Sequence, residues 1–435
     1  MISEKELKRY YDSFEKELTD DILPFWTTHV VDRSNGSFYG AVDRMGNPDL
    51  KASKGCVLFT RILWTYSASA RLLDNRQYAE LADRCFTVIG RYFADTEYGG
   101  YFMELDPDHK PFNTIKHTYA QAFALYSLCE YYRMNKSDEV LDSIKSFFLF
   151  LDNTTKDPDH PGYFEGFTRD WKLIDENRMA DGNEPKSMNT HLHVLEAYSA
   201  VVRVWDDPRP RQRLRDLLEL FLDSIIRENG HFGLFFDADF SESQASKGIC
   251  SFGHDIEGSW LLWEAAEILG DNALLERIRP VMIKMADAVE RVGLDKDGGL
   301  FLESTRFGSH LRTHKHWWLQ AETVVGFMNA FQLTGNLRYW DNVKLSWSFI
   351  DNYVIDHEFG EWFAKVNRLG IPFLEEPVDD PSPYYRNDRK ADLWKCPYHN
   401  SRMCLEMMSR ITRLLETEKN GLGRANEPFI LPADV

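Results

Sequence analysis

A glycine followed at once or one residue later by an aromatic recurs six times along the chain, in Gly36-Ser-Phe-Tyr, Gly100-Tyr-Phe, Gly162-Tyr-Phe-Glu, Gly230-His-Phe, Gly299-Leu-Phe and Gly360-Glu-Trp-Phe. The spacing is 61 to 69 residues. A few residues of apolar and polar alternation follow each glycine, the pattern of a tight turn with a short strand. Between turns there is room for two helices, and stretches such as Arg61 to Leu73, with Ile62, Leu63, Tyr66 and Ala70 near one face, carry helical periodicity. A repeat holding two helices is a helical-hairpin unit that buries its apolar face only by stacking on its neighbours.

The periodicity predicts twelve helices, at 3–28, 54–72, 76–94, 117–134, 137–152, 188–206, 210–227, 255–269, 272–292, 316–334, 337–354 and 398–417. Short links such as Leu73-Asp74-Asn75 and Gly270-Asp271 make the helices they join antiparallel neighbours. The remaining links are long and carry the glycine turns. This alternation predicts an all-α fold, one (α/α)6 barrel spanning residues 1–435, with short β-hairpins in the long loops at one mouth. The inner helices are those starting near 54, 117, 188, 255, 316 and 398. Their N-termini converge on that mouth, where free backbone N–H groups and positive dipole ends suit an anionic species.

Composition narrows the function. The 435 residues hold 51 Lys+Arg against 69 Asp+Glu, a net charge of -18. No basic stripe is left for nucleic acid. No stretch has the length of uncharged apolar sequence that a membrane span needs, and the N-terminus lacks a signal-like apolar region, so a soluble cytoplasmic protein is expected. Cys56, Cys85, Cys129, Cys250, Cys396 and Cys404 form no Cys-x-x-Cys pair and read as reduced core thiols.

The first turns of the inner helices carry Arg61; Tyr119; Asn189 and His193; His254 and Glu257; Trp317, Trp318, Gln320 and Glu322; and Trp394, His399 and Arg402. Asn189 and His193 are i,i+4 and His254 and Glu257 are i,i+3, so each pair shares a helix face. His191 and His193 are i,i+2 and cannot both face inward; one is expected to be packing. Arg61, inside an apolar run, needs an anion as partner. His310, His314 and His316 lack the accompanying ligands of a metal motif, and no metal is expected. Dinucleotide, P-loop and Gly-x-Ser-x-Gly signatures are missing, so no cofactor is expected either.

Tryptophan faces with Arg, Asn and Glu suit a carbohydrate. Histidines suit proton removal and return, the work of an isomerase or epimerase. A glycosidase needs two carboxylates, which Glu257 and Glu322 could supply, so that reading stays open on chemistry alone.

Six motifs in order resemble the N-acylglucosamine 2-epimerase superfamily, nearest its cellobiose 2-epimerase branch. They are Thr60-Arg-Ile-Leu-Trp-Thr65, Lys116-His-Thr-Tyr-Ala-Gln-Ala-Phe123, Ser187-Met-Asn-Thr-His-Leu-His193, Ser251-Phe-Gly-His-Asp-Ile-Glu257, His316-Trp-Trp-Leu-Gln-Ala-Glu322 and Trp394-Lys-Cys-Pro-Tyr-His-Asn-Ser-Arg402. The resemblance implies an (α/α)6 barrel that acts without metal or nucleotide on a small reducing sugar, as monomer or homodimer. It implies that His254 and His399 exchange the C2 proton, supported by His193 and Glu257. Arg61, Tyr119, Asn189 and Asp181 are then sugar binders, Trp317 or Trp318 and Trp394 sugar platforms, and Gln320 and Glu322 further substrate contacts. The connection 367–393 looks long for the cellobiose-acting branch, and so does 237–250. A lid made of them favours free D-mannose and D-glucose as substrates; cellobiose or mannobiose is the alternative, ahead of mannose-fructose isomerisation, glycoside hydrolysis and sugar binding without catalysis.

Overall fold

The computed structural model describes residues 2–174, 183–244, 246–306, 308–375 and 386–419. These contain twelve helical runs: α1 (4–30), α2 (Cys56–Leu73), α3 (76–93), α4 (Thr118–Asn135), α5 (Asp138–Thr155), α6 (Met188–Val204), α7 (208–225), α8 (Phe252–Leu269), α9 (Asn272–Val292), α10 (Trp317–Thr334), α11 (337–354) and α12 (Tyr398–Lys419). Several outer helices, α1, α3, α7 and α11 among them, finish in π-type turns. None of the described helices is long and apolar enough to cross a membrane.

The even-numbered helices pack in sequence, α2 on α4, α4 on α6, α6 on α8, α8 on α10, α10 on α12 and α12 back on α2. They are buried nearly all round, as expected of helices enclosed by others. Each odd-numbered helix backs the even one before it, and α1 backs α12, so the first and last helices complete the outer ring. The result is the (α/α)6 barrel that the repeat predicts.

Local chemistry dictates the alternation of links. Four inner helices end on a left-handed residue, Asp74, Lys136, Gly270 or Gly335, and the next outer helix begins one or two residues later at a capping Asn75, Ser137, Asp271 or Asn336. Such a turn leaves no room for anything but an antiparallel partner.

At the other end, each glycine turn closes a small hairpin and feeds a two- or three-residue strand. That strand does not pair locally alone: 54–55 pairs with 104–105, 116–117 with 166–167, 186–187 with 235–236, 250–251 with 303–304, 315–316 with 365–366, and 389–391 with 42–43. Six antiparallel pairs therefore link consecutive loops around the mouth, the last joining the two halves of the chain. In five of them a buried lysine ties the pair to the preceding glycine hairpin, as Lys116 does through Asp95 at 3.0 Å and Lys186 through Asp157 at 2.7 Å. The fourth pair has no lysine; Arg227, from the hairpin, reaches the carbonyls of Ser246 and Ile249 and the carboxylate of Glu242 instead.

Candidate active site

The repeat assigns different work to successive positions of the inner helices. The fourth residue of α4, α6, α8 and α10 holds the hairpin that follows a glycine turn. Gln121 brackets both backbone groups of Tyr101, His191 Nε2 accepts from the Tyr163 N–H at 2.8 Å, Asp255 accepts from the Phe232 N–H at 2.8 Å, and Gln320 brackets Leu300 at 2.8 and 2.9 Å. His191 is thus the packing member of the His191/His193 pair. Gln320, expected among the sugar binders, is likewise spent on backbone, because its amide matches the donor and acceptor of a hairpin residue.

A different set links helix to helix. His193 Nδ1 sits 2.9 Å from Glu196 Oε2, and His399 Nδ1 sits 2.7 Å from Glu322 Oε1. Arg402 joins them: one guanidinium nitrogen donates to Glu196 and Tyr398, the other to Glu257 at 2.8 Å and Glu322 at 2.7 Å. Trp260 Nε1 holds the far oxygen of Glu322 at 3.0 Å. His254 is anchored otherwise, with Nδ1 2.7 Å from the hydroxyl of Ser251. All three imidazoles are oriented through Nδ1, and their Nε2 atoms have no protein partner among the described residues. Trp318 lies against His254 and His399, its ring centroid 4.8 and 5.7 Å from theirs.

Arg61 forms the opposite wall. It donates to Tyr119 Oη at 2.7 Å, reaches Cys396 Sγ at 3.7 Å and lies 4.2 Å over the Phe123 ring. No carboxylate in the described residues neutralises it, so a buried guanidinium there calls for a developing negative charge. Tyr119 in turn packs on His193 and on the half-buried Trp394. Asn189 is half-buried, with its Oδ1 enclosed and without a protein donor.

Burial sets the protonation states. It lowers His254 to about 3, with His193 adding to the shift. Burial also holds His193 below the ordinary imidazole range, and His399 well below it, the latter aided by Arg61 and Arg402. Each imidazole is then neutral near pH 7; the carboxylates at Nδ1 of His193 and His399 hold the ring proton there and leave Nε2 the lone pair of a base, whereas the Ser251 hydroxyl at His254 Nδ1 can donate or accept and so serves either tautomer. Burial works against ionisation of Glu196, but Arg402 and His193 prevail and bring it to about 2. Burial and Glu322 push Glu257 well above the carboxylate range.

Several expectations change in the folded chain. His193 and Glu257, expected as joint supports, have separate partners, Glu196 and Arg402. Glu322 supports His399 and Arg402 and is not free for a sugar. Trp317 is buried with the ammonium of Lys395 5.3 Å from its ring centre, so Trp318 is the tryptophan beside the histidines. Asp181 lies outside the described residues, as do 376–385 of the long 367–393 connection. The described end of that connection, Arg389–Ala391, is the sixth strand pair, and 237–250 is strapped down by Arg227. Glu196 escaped the sequence reading although it is i,i+3 from His193, the very spacing used for His254 and Glu257. Arg402 was visible at its helix start, but nothing in the sequence shows which carboxylates surround it.

Glu257, Glu322 and His399 place ligand atoms within 4.8 Å of one another, a set that could hold a divalent cation. The Arg402 guanidinium already lies between the two carboxylates, so a metal would have to displace it. The family profile of N-acylglucosamine 2-epimerase (GlcNAc 2-epimerase) matches residues 36–385. The chain belongs to this family. A cellobiose 2-epimerase of Bacteroides fragilis is 40% identical over 91% of this chain and 97% of its own. The solved cellobiose 2-epimerase of Bacillus thermoamylovorans superposes with a TM-score of 0.85 at 33% identity, covering 93% of this chain and all of its own. That of Spirochaeta thermophila gives 0.83 at 36% identity over 95% and 99%. As a member of the N-acylglucosamine 2-epimerase family, the protein is an isomerase of the epimerase type, and the glycosidase reading falls.

Proposed function

We propose that this epimerase inverts C2 of the reducing-end glucose of cellobiose, giving a glucosyl-mannose. The observation that carries the reaction is the pair of Nδ1-anchored, neutral imidazoles, His254 and His399, both against Trp318. The choice of a disaccharide follows the relatives named cellobiose 2-epimerase and replaces the preference for free mannose and glucose. That preference rested on a lid for which the described part of the 367–393 connection offers no support.

In this reading the sugar ring opens first, because only a C–H beside a carbonyl is acidic enough for an imidazole. Glu257, a carboxyl held protonated beyond its usual range, and the acid-backed His193 handle the proton of ring opening. One imidazole Nε2 then takes the C2 proton. The enediolate forms next to Arg61 and the N-termini of the inner helices, donors fixed in advance of the charge they meet. The second imidazole, charged with a proton from water, delivers it to the other face of C2 and completes the inversion, the first returns its proton to water, and Tyr119, Trp394 and Asn189 hold the sugar. Proton NMR in D2O tests this. Cellobiose is expected to yield glucosyl-mannose deuterated at C2. Exchange with mannose alone restores the monosaccharide reading, and a ketose product makes the protein an aldose-ketose isomerase.

A further inference from the structure

The sixth glycine hairpin contains a costly residue. Glu361 takes a left-handed backbone, φ 60°, and is fully buried. The same place in the second hairpin is Gly100, φ 70°: the Asp95 N–H donates to the Gly100 carbonyl as the Asp356 N–H donates to that of Glu361. Glycine meets no steric penalty in that conformation, whereas any side chain does. A charged group inside the protein adds a desolvation cost. Strain of this kind persists where the surroundings hold it, and it collects at functional sites.

The Glu361 carboxylate has two partners besides its own hairpin. One oxygen pairs with Lys395, equally buried, and the other accepts from Asn400 Nδ2 at 2.7 Å. Asn400 follows His399 in the chain. Lys395 follows Trp394, and its ammonium rests over the ring of Trp317, the residue before Trp318. Asp392 fixes the backbone N–H groups of Trp394 and Lys395 at 3.0 and 2.8 Å, and Asp21 of α1 accepts from the Glu361 N–H at 3.0 Å. The carboxylate therefore holds Asn400, in the first turn of α12, directly and reaches Trp317, at the start of α10, through Lys395; these three residues are the chain neighbours of His399, Trp318 and Trp394.

We propose that Glu361 is a positioning residue for the epimerisation: through Lys395 and Asn400 it sets the spacing of α10 and α12 and so the placement of Trp318 and His399. The inference rests on the reading of His399 as a proton-transfer group. Its test combines steady-state turnover of cellobiose with the imidazole 15N signals of His399. The variant E361G/K395M relaxes the backbone and removes the lysine that would otherwise be left unpaired. It should unfold cooperatively, lose at least tenfold in kcat with KM changed less than threefold, and shift the His399 signals. E361Q, which keeps the side-chain length, should lose at least fivefold in kcat and serves if the double variant does not fold. E358Q, on the exposed face of the same hairpin, should match wild type. A folded E361G/K395M or E361Q variant with more than half of wild-type kcat and unshifted His399 signals overturns the proposal. Should wild type leave cellobiose unexchanged, the substrate reading fails, and the 15N signals alone decide whether Glu361 orients His399.

Discussion

Glu196 and Glu322 accept hydrogen bonds from one guanidinium, that of Arg402, and each also binds the Nδ1 of a different histidine, His193 or His399. Two imidazoles on opposite parts of the inner ring thus share a single buried cation. Removing that cation leaves Glu196 and Glu322 without their counter-charge and Glu257 without its donor, and breaking a buried ion pair from one side costs roughly 3–5 kcal/mol. Arg402→Met should lower the urea midpoint by a corresponding amount and abolish turnover. Arg402→Lys keeps the charge but not the two-pronged geometry. It should recover much of the stability and little of the activity, which equilibrium unfolding and kcat measured on the same preparation will show.

His254→Ala and His399→Ala should each leave less than a tenth of wild-type epimerisation while unfolding remains cooperative. Among the described residues neither imidazole is bonded to an outer helix, so the barrel does not depend on them. C2 deuterium incorporation, read by NMR, is the check, and a variant above that level is not a proton-transfer residue.

The low value for His254 gives a stability prediction with a definite sign. Its folded pKa of about 3 lies below the unfolded value, so between these the unfolded chain binds the extra proton, and stability falls as pH drops below about 6.5. The slope approaches about 1.4 kcal/mol per pH unit for each such histidine. Between pH 7 and 5, His254→Gln should lose roughly 1–2 kcal/mol less stability than wild type. That window lies above the range where carboxylates with depressed values, such as Glu196, begin to contribute. Denaturant midpoints at the two pH values measure it, and equal pH dependence of the two proteins would contradict the assignment.

Gly253 precedes His254, and a Cβ placed there would stand 2.6 Å from the Trp318 ring and 2.7 Å from Leu319 Cβ. Gly253→Ala should push the indole away from the histidines, raise KM for the sugar several-fold and alter the tryptophan emission. Wild-type KM together with an unchanged spectrum would show that the indole does not need this clearance.

The glycine turns were legible because a left-handed backbone at Gly36, Gly100, Gly162, Gly230 and Gly360 leaves a mark in sequence, and because two-helix repeats cannot bury themselves alone. In the fifth repeat the left-handed residue is Gly298, one before Gly299. Histidine pairs on one helix could be placed by spacing. Which carboxylate serves which histidine could not, since Glu322 and His399 are 77 residues apart and meet only when α10 packs on α12. Gln320 and Trp317 misled for the same reason: a polar or aromatic side chain at a helix start reads alike whether it faces the cavity or the loop behind it.

The sequence by itself determined the number of repeats, the order of inner and outer helices and the mouth at which the chemistry gathers, because these follow from local periodicity, turn residues and helix polarity. Only the tertiary structure decided that Arg402 would unite three glutamates, that Arg61 would be left without a carboxylate partner among the described residues, and that Glu361 would bear a strained backbone under α12. Those outcomes depend on side chains from distant repeats meeting in a water-poor interior, where charge must be matched in three dimensions and no local pattern records the match.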